Sequence, residues 1–351
     1  MPESATRRRR APFELADTSV PAGQRQVVNV PLPGIYGRED VALPVEVVHG
    51  RREGPRLFVA AALHGDEVGG TEVIRRLLLH RSLNRMAGTL LAIPVVNVYG
   101  YWHQSRYLPD RRDLNRCFPG SPGGSLASRL AHVLMSEVVA RCSHGIDLHT
   151  ATIHRENLPQ VRGGLDDPVV RTMCEAFAAP VIIDASLRDG SLREAVRESG
   201  IPMVVYEAGE ALRLVENAVR AGLRGVLGVM SALGMVRARQ RWAPGVVAKR
   251  TYWVRSPCAG ILVRHVGLGD RISREAILGT VGDPLLRDPA EVRAAVGGVV
   301  IGRTNNPLVN EGDGLYHIAV FGDREETAGV AGMIEELDQQ LDDGQWGSEN
   351  A

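Results

Sequence analysis

Two short stretches of this 351-residue chain carry side chains able to share one divalent ion, and a third carries a carboxylate able to act as a base beside it. His64 and Glu67 stand three positions apart in His64-Gly65-Asp66-Glu67, close enough in a tight turn to reach one point, with Gly65 permitting an unusual backbone angle between them. His149, in Asp147-Leu148-His149-Thr150, offers a third donor. Two imidazoles and one carboxylate make a zinc shell that leaves a fourth position to water, whose pKa such a shell lowers to about 7. Glu207, in Tyr206-Glu207-Ala208-Gly209, is then the candidate general base, taking a proton from that water and later giving it to a leaving amine. Each residue alone also has a plainer reading. His64 and His149 could be structural histidines, Asp66-Glu67 the acidic first turn of a helix, and Glu207 a solvated carboxylate at a strand end. Their conjunction is what favours the metal.

The elements that must position these groups follow from the apolar pattern. Leu57 to Leu63 is a short apolar run after Gly54-Pro55, as expected of a buried parallel strand, and Val68 to Leu83 continues with helical spacing. Thr89 to Val96 predicts a further buried strand, 97–124 a long polar loop, and Leu126, Leu130, Val133, Leu134 and Val138 one stripe of a helix. Gly145 to His149, Val181 to Ile183 and Met203 to Tyr206 read as strands, Ser191 to Ser199 and Leu212 to Leu233 as helices, the last weakened by Gly222, Gly225 and Gly228. Strands alternating with helices imply βαβ units and a mixed sheet with helices on both faces. Val27 to Val30 and Val41 to Val48 read as two strands before this core, Pro44 marking the second as an edge or a bulge. The first three chemistry-bearing stretches all fall at carboxyl ends of strands, where open α/β sheets keep their ligand crevice.

The 97–124 loop holds a second constellation, with Arg106, Arg111, Arg112 and Arg116 interleaved with Asp110, Asp113 and Asn115. Guanidinium forks match carboxylates bidentately, so such a cluster beside a metal suits an acidic substrate. Arg111 and Arg112 read better as a solvated mixed-charge face, Asn115 and Arg116 as functional groups.

Taken in order, HGDE (64–67), DLNRCFPG (113–120), DLHT (147–150) and YEAG (206–209) resemble the succinylglutamate desuccinylase/aspartoacylase family, zinc-dependent deacylases with a zinc carboxypeptidase-like fold. The resemblance covers Leu57 to Leu233, and the C-terminal region more loosely. It implies one zinc ion per chain on His64, Glu67 and His149, with Glu207 as base. It further implies that Asn115 and Arg116 hold the substrate carboxylate, that Arg106 polarises the scissile carbonyl, and that Asp113 orients these groups. An arginine between the third and fourth motifs contacts substrate in the family. Arg193 and Arg197 both fit that place, and Arg193 is carried forward. The implied activity is hydrolysis of a small N-acyl amino acid of acetyl or succinyl type. A carboxypeptidase of short peptides and a non-catalytic zinc- or ligand-binding homologue are the alternatives.

The fold expected is thus α/β, a zinc carboxypeptidase-like mixed sheet flanked by helices, with a smaller all-β domain behind it. From about Val246 short β-rich runs are separated by Gly and Pro. Ser256 to Leu262, Val266 to Asp270 and Ile277 to Gly279 resemble the barrel-sandwich domain of biotinyl and lipoyl carriers, but no lysine is present to carry the prosthetic group. In the deacylase family such a domain partly covers the site, with a tyrosine that here would be Tyr316 or Tyr252. The expected divisions are a disordered basic tail (1–24), the catalytic domain (25–245), the β-rich domain (246–330), and a terminal helix with polar tail (331–351).

Composition narrows the alternatives. With 44% hydrophobic residues and equal counts of 41 cationic and 41 acidic side chains, the chain can bury a core and lacks the overall basic charge of a nucleic-acid binder. Lys249 is the only lysine, which leaves no Walker A motif and nearly excludes Schiff-base catalysis. No apolar run approaches the roughly 20 residues of a membrane span. Cys117, Cys142, Cys174 and Cys258 form no CxxC pair, which suits reduced thiols. The expectation is a soluble cytoplasmic enzyme with a small-molecule substrate, no nucleic-acid or membrane partner, and self-association left open.

Overall fold

In a computed structural model, residues 10–35, 37, 40–237, 242–285 and 289–342 are described. Arg7 to Arg9 of the basic start and the polar tail from 343 lie outside them. Four strands form the parallel heart of a 13-stranded sheet, in the spatial order Met203–Glu210, His144–Ala151, Arg52–Ala61, Ala87–Ile93. Their apolar runs are buried on both faces, as parallel strands flanked by helices require. Along Arg52–Ala61, Leu57, Val59 and Ala61 enter one core while Phe58 and Ala60 enter the other. That period of two divides the interior into two layers.

The first layer is closed by the helices Gly69–Leu79, Pro168–Phe177 and Glu216–Ala232. Gly69–Leu79 buries Gly70, Val73, Ile74 and Leu77, one stripe at i, i+3, i+4 and i+7. The glycines that weaken the pattern of Glu216–Ala232 are its packing surface. A Cβ at Gly222 would lie 2.8 Å from Val73, one at Gly225 2.1 Å from Phe177, and one at Gly228 2.1 Å from the carbonyl oxygen of Ala176. The second layer carries Leu126–Val133, Leu192–Glu198 and an N-terminal hairpin.

That hairpin corrects one expectation. Residues 10–24 are no tail: Phe13–Leu15 pairs antiparallel with Thr18–Val20, and Phe13, Leu15 and Val20 are buried. The polar residues between them face outward, an alternation too short to register as a strand pattern. Arg10 donates to the carbonyls of Gly50 and Gly88 and to Thr89, tying the hairpin to the sheet. Strand Ala42–His49 lies inside the sheet, between Gln24–Pro31 and Ala87–Ile93. Pairing with Ala87–Ile93 begins only at Glu46, so Pro44 occupies a local edge where its missing N–H costs no ladder bond.

The C-terminal β region both extends this sheet and adds a second one. Gly298–Thr304 pairs antiparallel with Arg155–Gly163, and Gly314–Val320 and Arg250–Arg255 follow it outward. The four short strands Ala290–Arg293, Ile277–Gly282, Gly260–Arg264 and Leu308–Val309 form the separate sheet, packed over Leu262, Leu278, Val281 and Tyr316. A helix, Arg324–Asp342, ends the described chain. No helix among the described residues is long and apolar enough to cross a membrane.

Candidate active site

Parallel register brings the chemistry to one edge. Glu207 is directly opposite His149 on adjacent strands, and Leu148 is opposite Ala61, three residues before His64. Ala62 leaves the strand with a positive φ of 48°, turning the chain so that His64-Gly65-Asp66-Glu67 crosses the strand ends. Gly65 is required for closeness rather than for its own dihedral angle, since a Cβ there would lie 2.1 Å from the carbonyl carbon of Gly100.

Glu67, fully buried, is the hub. Its Oε1 lies 2.6 Å from His64 Nδ1 and its Oε2 2.7 Å from His149 Nδ1, while Thr150 donates its backbone N–H to Oε2 at 3.1 Å. One donor atom from each of His64, Glu67 and His149 falls within 4.8 Å of the others. The second nitrogen of each ring is also held by a carboxylate: His64 Nε2 donates to Asp113 at 3.1 Å and His149 Nε2 to Asp147 at 2.8 Å. Burial, the largest influence on all three groups, disfavours their charged forms. Glu67 nevertheless stays well below the usual carboxylate range because of the two imidazoles, and both imidazoles are raised by the carboxylates around them.

This arrangement fits a metal ion. With each Nδ1 turned toward the Glu67 carboxylate, the three residues would hold an ion between them, and an outer nitrogen donating to a carboxylate is how metal-bound histidines are oriented. Asp147 Oδ1, buried and without a hydrogen-bond partner among the described residues, adds uncompensated acceptor capacity beside the site.

Arg106 donates to Glu67 at 3.2 Å and to Asp113 at 3.0 Å, so the 97–124 loop closes directly onto the hub. Asp113 also accepts the backbone N–H of Asn115 at 2.9 Å, and Asn115 accepts that of Leu192. The loop therefore docks on the start of helix Leu192–Glu198. Arg116 lines the same cleft, as does Arg193, which donates to the carbonyls of Ala185 and Ser186. Arg197 instead pairs with Asp166 at 2.6 Å and does not line this cleft, so the geometry separates the two arginines.

Glu207 accepts a hydrogen bond from Asn157 Nδ2 at 3.1 Å. The far wall comes from the C-terminal region through Thr251, Trp253 and His317, enclosing a cleft of about 570 Å³. Trp253 and His317 are cross-strand partners whose rings stack at 4.8 Å, and Arg155 lies 5.2 Å over Trp253. Tyr252 and Tyr316 do not reach the cleft. They are the neighbours of Trp253 and His317, hence on the opposite face, and donate to the carbonyls of Val296 and Leu278. Sequence reasoning missed Asp147, Asn157, Arg162, Trp253 and His317. Only Asp147, inside DLHT, carried a local signal.

The family model of the succinylglutamate desuccinylase/aspartoacylase catalytic domain matches residues 53–233, just over half of the chain. The chain belongs to this family. Similarity extends past the family domain: N-alpha-acetyl-L-2,4-diaminobutyric acid deacetylase from Halomonas elongata is 27% identical over 294 residues, 80% of this chain and 86% of that protein. A succinylglutamate desuccinylase/aspartoacylase structure from Rhodobacter sphaeroides superposes with a TM-score of 0.74 at 25% identity, covering 85% of this chain and 95% of that one. The ectoine utilization protein EutE (DoeB) from Ruegeria pomeroyi shares the fold, with a TM-score of 0.74 at 24% identity over 85% of this chain and 95% of that one. The mixed sheet flanked by helices, with its smaller C-terminal β region, is the fold of this family.

Proposed function

We propose that the protein is a zinc-dependent deacylase that hydrolyses the amide bond of a small N-acyl amino acid, releasing the acyl carboxylate and the free amino acid. The observation that carries this reading is the meeting of His64, Glu67 and His149 with Glu207 one strand away. Family membership and the name of the Halomonas relative support the N-acyl amino acid as substrate class. His64, Glu67 and His149 would hold the ion, which when bound supplies a Lewis acid and a water of lowered pKa.

Glu207 takes a proton from the attacking water, whose oxygen bonds to the acyl carbon. As the C–N bond breaks, that proton passes from Glu207 to the amine nitrogen, so no charge is stranded on the leaving group. Arg106 donates to the carbonyl oxygen as negative charge gathers there, an interaction typically worth about 3 kcal/mol. Asp113 holds Arg106 and the turn carrying Asn115. Asn115 and Arg116, with Arg193, bind the substrate's carboxylate. Trp253 and His317 narrow the mouth and favour small substrates over peptides.

Metal analysis joined to hydrolysis of an N-acyl amino acid panel tests this reading. About one zinc per chain is expected, with activity abolished by a chelator and restored by zinc. Metal-loaded protein that hydrolyses nothing in the panel would point to a non-catalytic homologue, and preferred cleavage of short peptides to a carboxypeptidase.

A further inference from the structure

The loop that carries Arg106 to the hub is tied together by a buried side chain with no part in the proposed reaction. Asn97 opens that loop. Its backbone N–H donates at 2.9 Å to the carbonyl of Ala62, the residue at which the chain turns toward His64. Its side chain is fully buried and makes two bonds in opposite directions. Oδ1 accepts the backbone N–H of Gly100 at 2.8 Å, and Nδ2 donates to the backbone carbonyl of Arg106 at 3.4 Å.

These two bonds fall on the two places where the loop meets the hub. Gly65, inside the metal-binding turn, is seated against the Gly100–Tyr101 peptide so closely that a Cβ would not fit, and Arg106 is the residue that reaches Glu67 and Asp113. The space between them is filled. A Cβ at Gly100 would lie 2.6 Å from Asn97 Nδ2 and 2.7 Å from the carbonyl oxygen of Ser105, whose own N–H donates to Gly100 at 2.9 Å. Residue type matters here. Ser, Thr or Asp would cap the Gly100 N–H as Asn does, but only the amide adds a donor for the Arg106 carbonyl beside that acceptor. Asp113 holds the guanidinium end of Arg106, and Asn97 fixes the backbone from which that long side chain starts.

We propose that Asn97 is a positioning residue for the reaction, its side-chain amide registering the backbone of Arg106 against the metal-binding turn and so aiming the guanidinium at the scissile carbonyl oxygen. Asn97 acts through Arg106 and touches no substrate. The inference rests on the deacylase reading, in which Arg106 meets charge that gathers only as the reaction proceeds. A displacement of about 1 Å at such a group costs on the order of 10²-fold in rate, so turnover should suffer while substrate binding does not.

The test is a double-mutant cycle of Asn97→Ser and Arg106→Ala, read as zinc content, kcat and KM on the best N-acyl amino acid of the panel. Ser keeps an oxygen for the Gly100 N–H and gives up the donor to Arg106. Asn97→Ser should keep the parent's zinc content, hold KM within about threefold and lose roughly 10- to 100-fold in kcat. In the Arg106→Ala background the same substitution should change kcat by less than about twofold, because the group it aims is gone. An unchanged kcat in Asn97→Ser, an equal loss with and without Arg106, or zinc lost together with activity overturns the proposal. Should Asn97→Ser fold poorly, Gly100→Ala crowds the same amide with Asn97 in place, and its loss in kcat should likewise vanish without Arg106. A crystal structure of Asn97→Ser tests the tether without turnover: Arg106 should leave hydrogen-bond reach of Asp113 while His64, Glu67 and His149 keep their places. An unmoved Arg106 overturns the proposal, whereas a displaced Arg106 in a protein whose parent cleaves no amide of the panel upholds the tether and defeats the deacylase reading.

Discussion

Replacing Glu207 by Gln removes one negative oxygen and little else. If Glu207 is the base, Glu207→Gln keeps its zinc and loses roughly 10²- to 10⁴-fold in kcat, whereas His149→Ala loses metal and activity together. Kinetics beside metal analysis of each variant separates the two. Asn157 acts one step back, because its side-chain amide fixes one carboxylate oxygen of Glu207. Asn157→Ala should therefore lower kcat about tenfold, with KM and zinc content nearly unchanged. His317 gives a pH prediction. Its pKa is depressed from the ordinary 6.5 to about 3 by burial and then by Arg162, so the unfolded chain binds its proton first as pH falls. Stability is whole above about pH 6.5 and declines between 6.5 and 3, by at most about 1.4 kcal/mol per pH unit. Thermal melts of His317→Gln should show a flatter slope between pH 6.5 and 5 than the parent protein does. Most of these residues announced themselves unevenly in the sequence. His64, Glu67 and His149 were legible because their types are rare together at strand ends. Arg162 and His317 were not, because their meaning depends on strands more than a hundred residues apart lying side by side.

Helices and strands were legible where one period dominated. The apolar run from Leu57 and the stripe from Leu126 carried such a signal: the run lies in strand Arg52–Ala61, which ends two residues before Leu63, and the stripe begins helix Leu126–Val133 and continues through a wider helical turn at Leu134–Val138. The pattern failed where glycine carried two meanings. In Glu216–Ala232 the glycines lower intrinsic helix propensity by about 1 kcal/mol each, yet they let Phe177 and Val73 close against the helix. Gly225→Ala decides which effect is larger. The gain in propensity is about 1 kcal/mol, whereas a methyl group 2.1 Å from Phe177, itself stacked on Tyr206 at 4.8 Å, meets a ring with little room to retreat. Overpacking of this kind costs about 1–3 kcal/mol, so the urea midpoint should fall. The N-terminal hairpin failed for another reason. Three-residue strands offer too few alternations to be told from a polar tail, and their burial depends on a sheet already formed.

At the scale of the whole molecule, the texture change near Val246 was legible, but its consequence was not. Among the described residues, five strands from that point onward join the catalytic sheet instead of closing on themselves: Val246–Ala248, Arg250–Arg255, Arg271–Ile272, Gly298–Thr304 and Gly314–Val320. Gly302 sits at the seam, paired with both Asn157 and His317, and a Cβ there would lie 2.9 Å from Asn157 Oδ1 and 3.1 Å from His317 Cβ. Gly302→Ala should therefore reduce kcat several-fold at unchanged zinc content, by displacing Asn157 from Glu207, a change that steady-state kinetics would register. The shared sheet has a mechanical corollary. A roof hydrogen-bonded into the same sheet as the floor cannot swing away to admit a ligand without tearing backbone pairs, so entry and exit must proceed through a standing doorway. Staples placed across the seam should then leave turnover untouched, and the release of products should be governed by how firmly their charges are held and not by any opening of the protein.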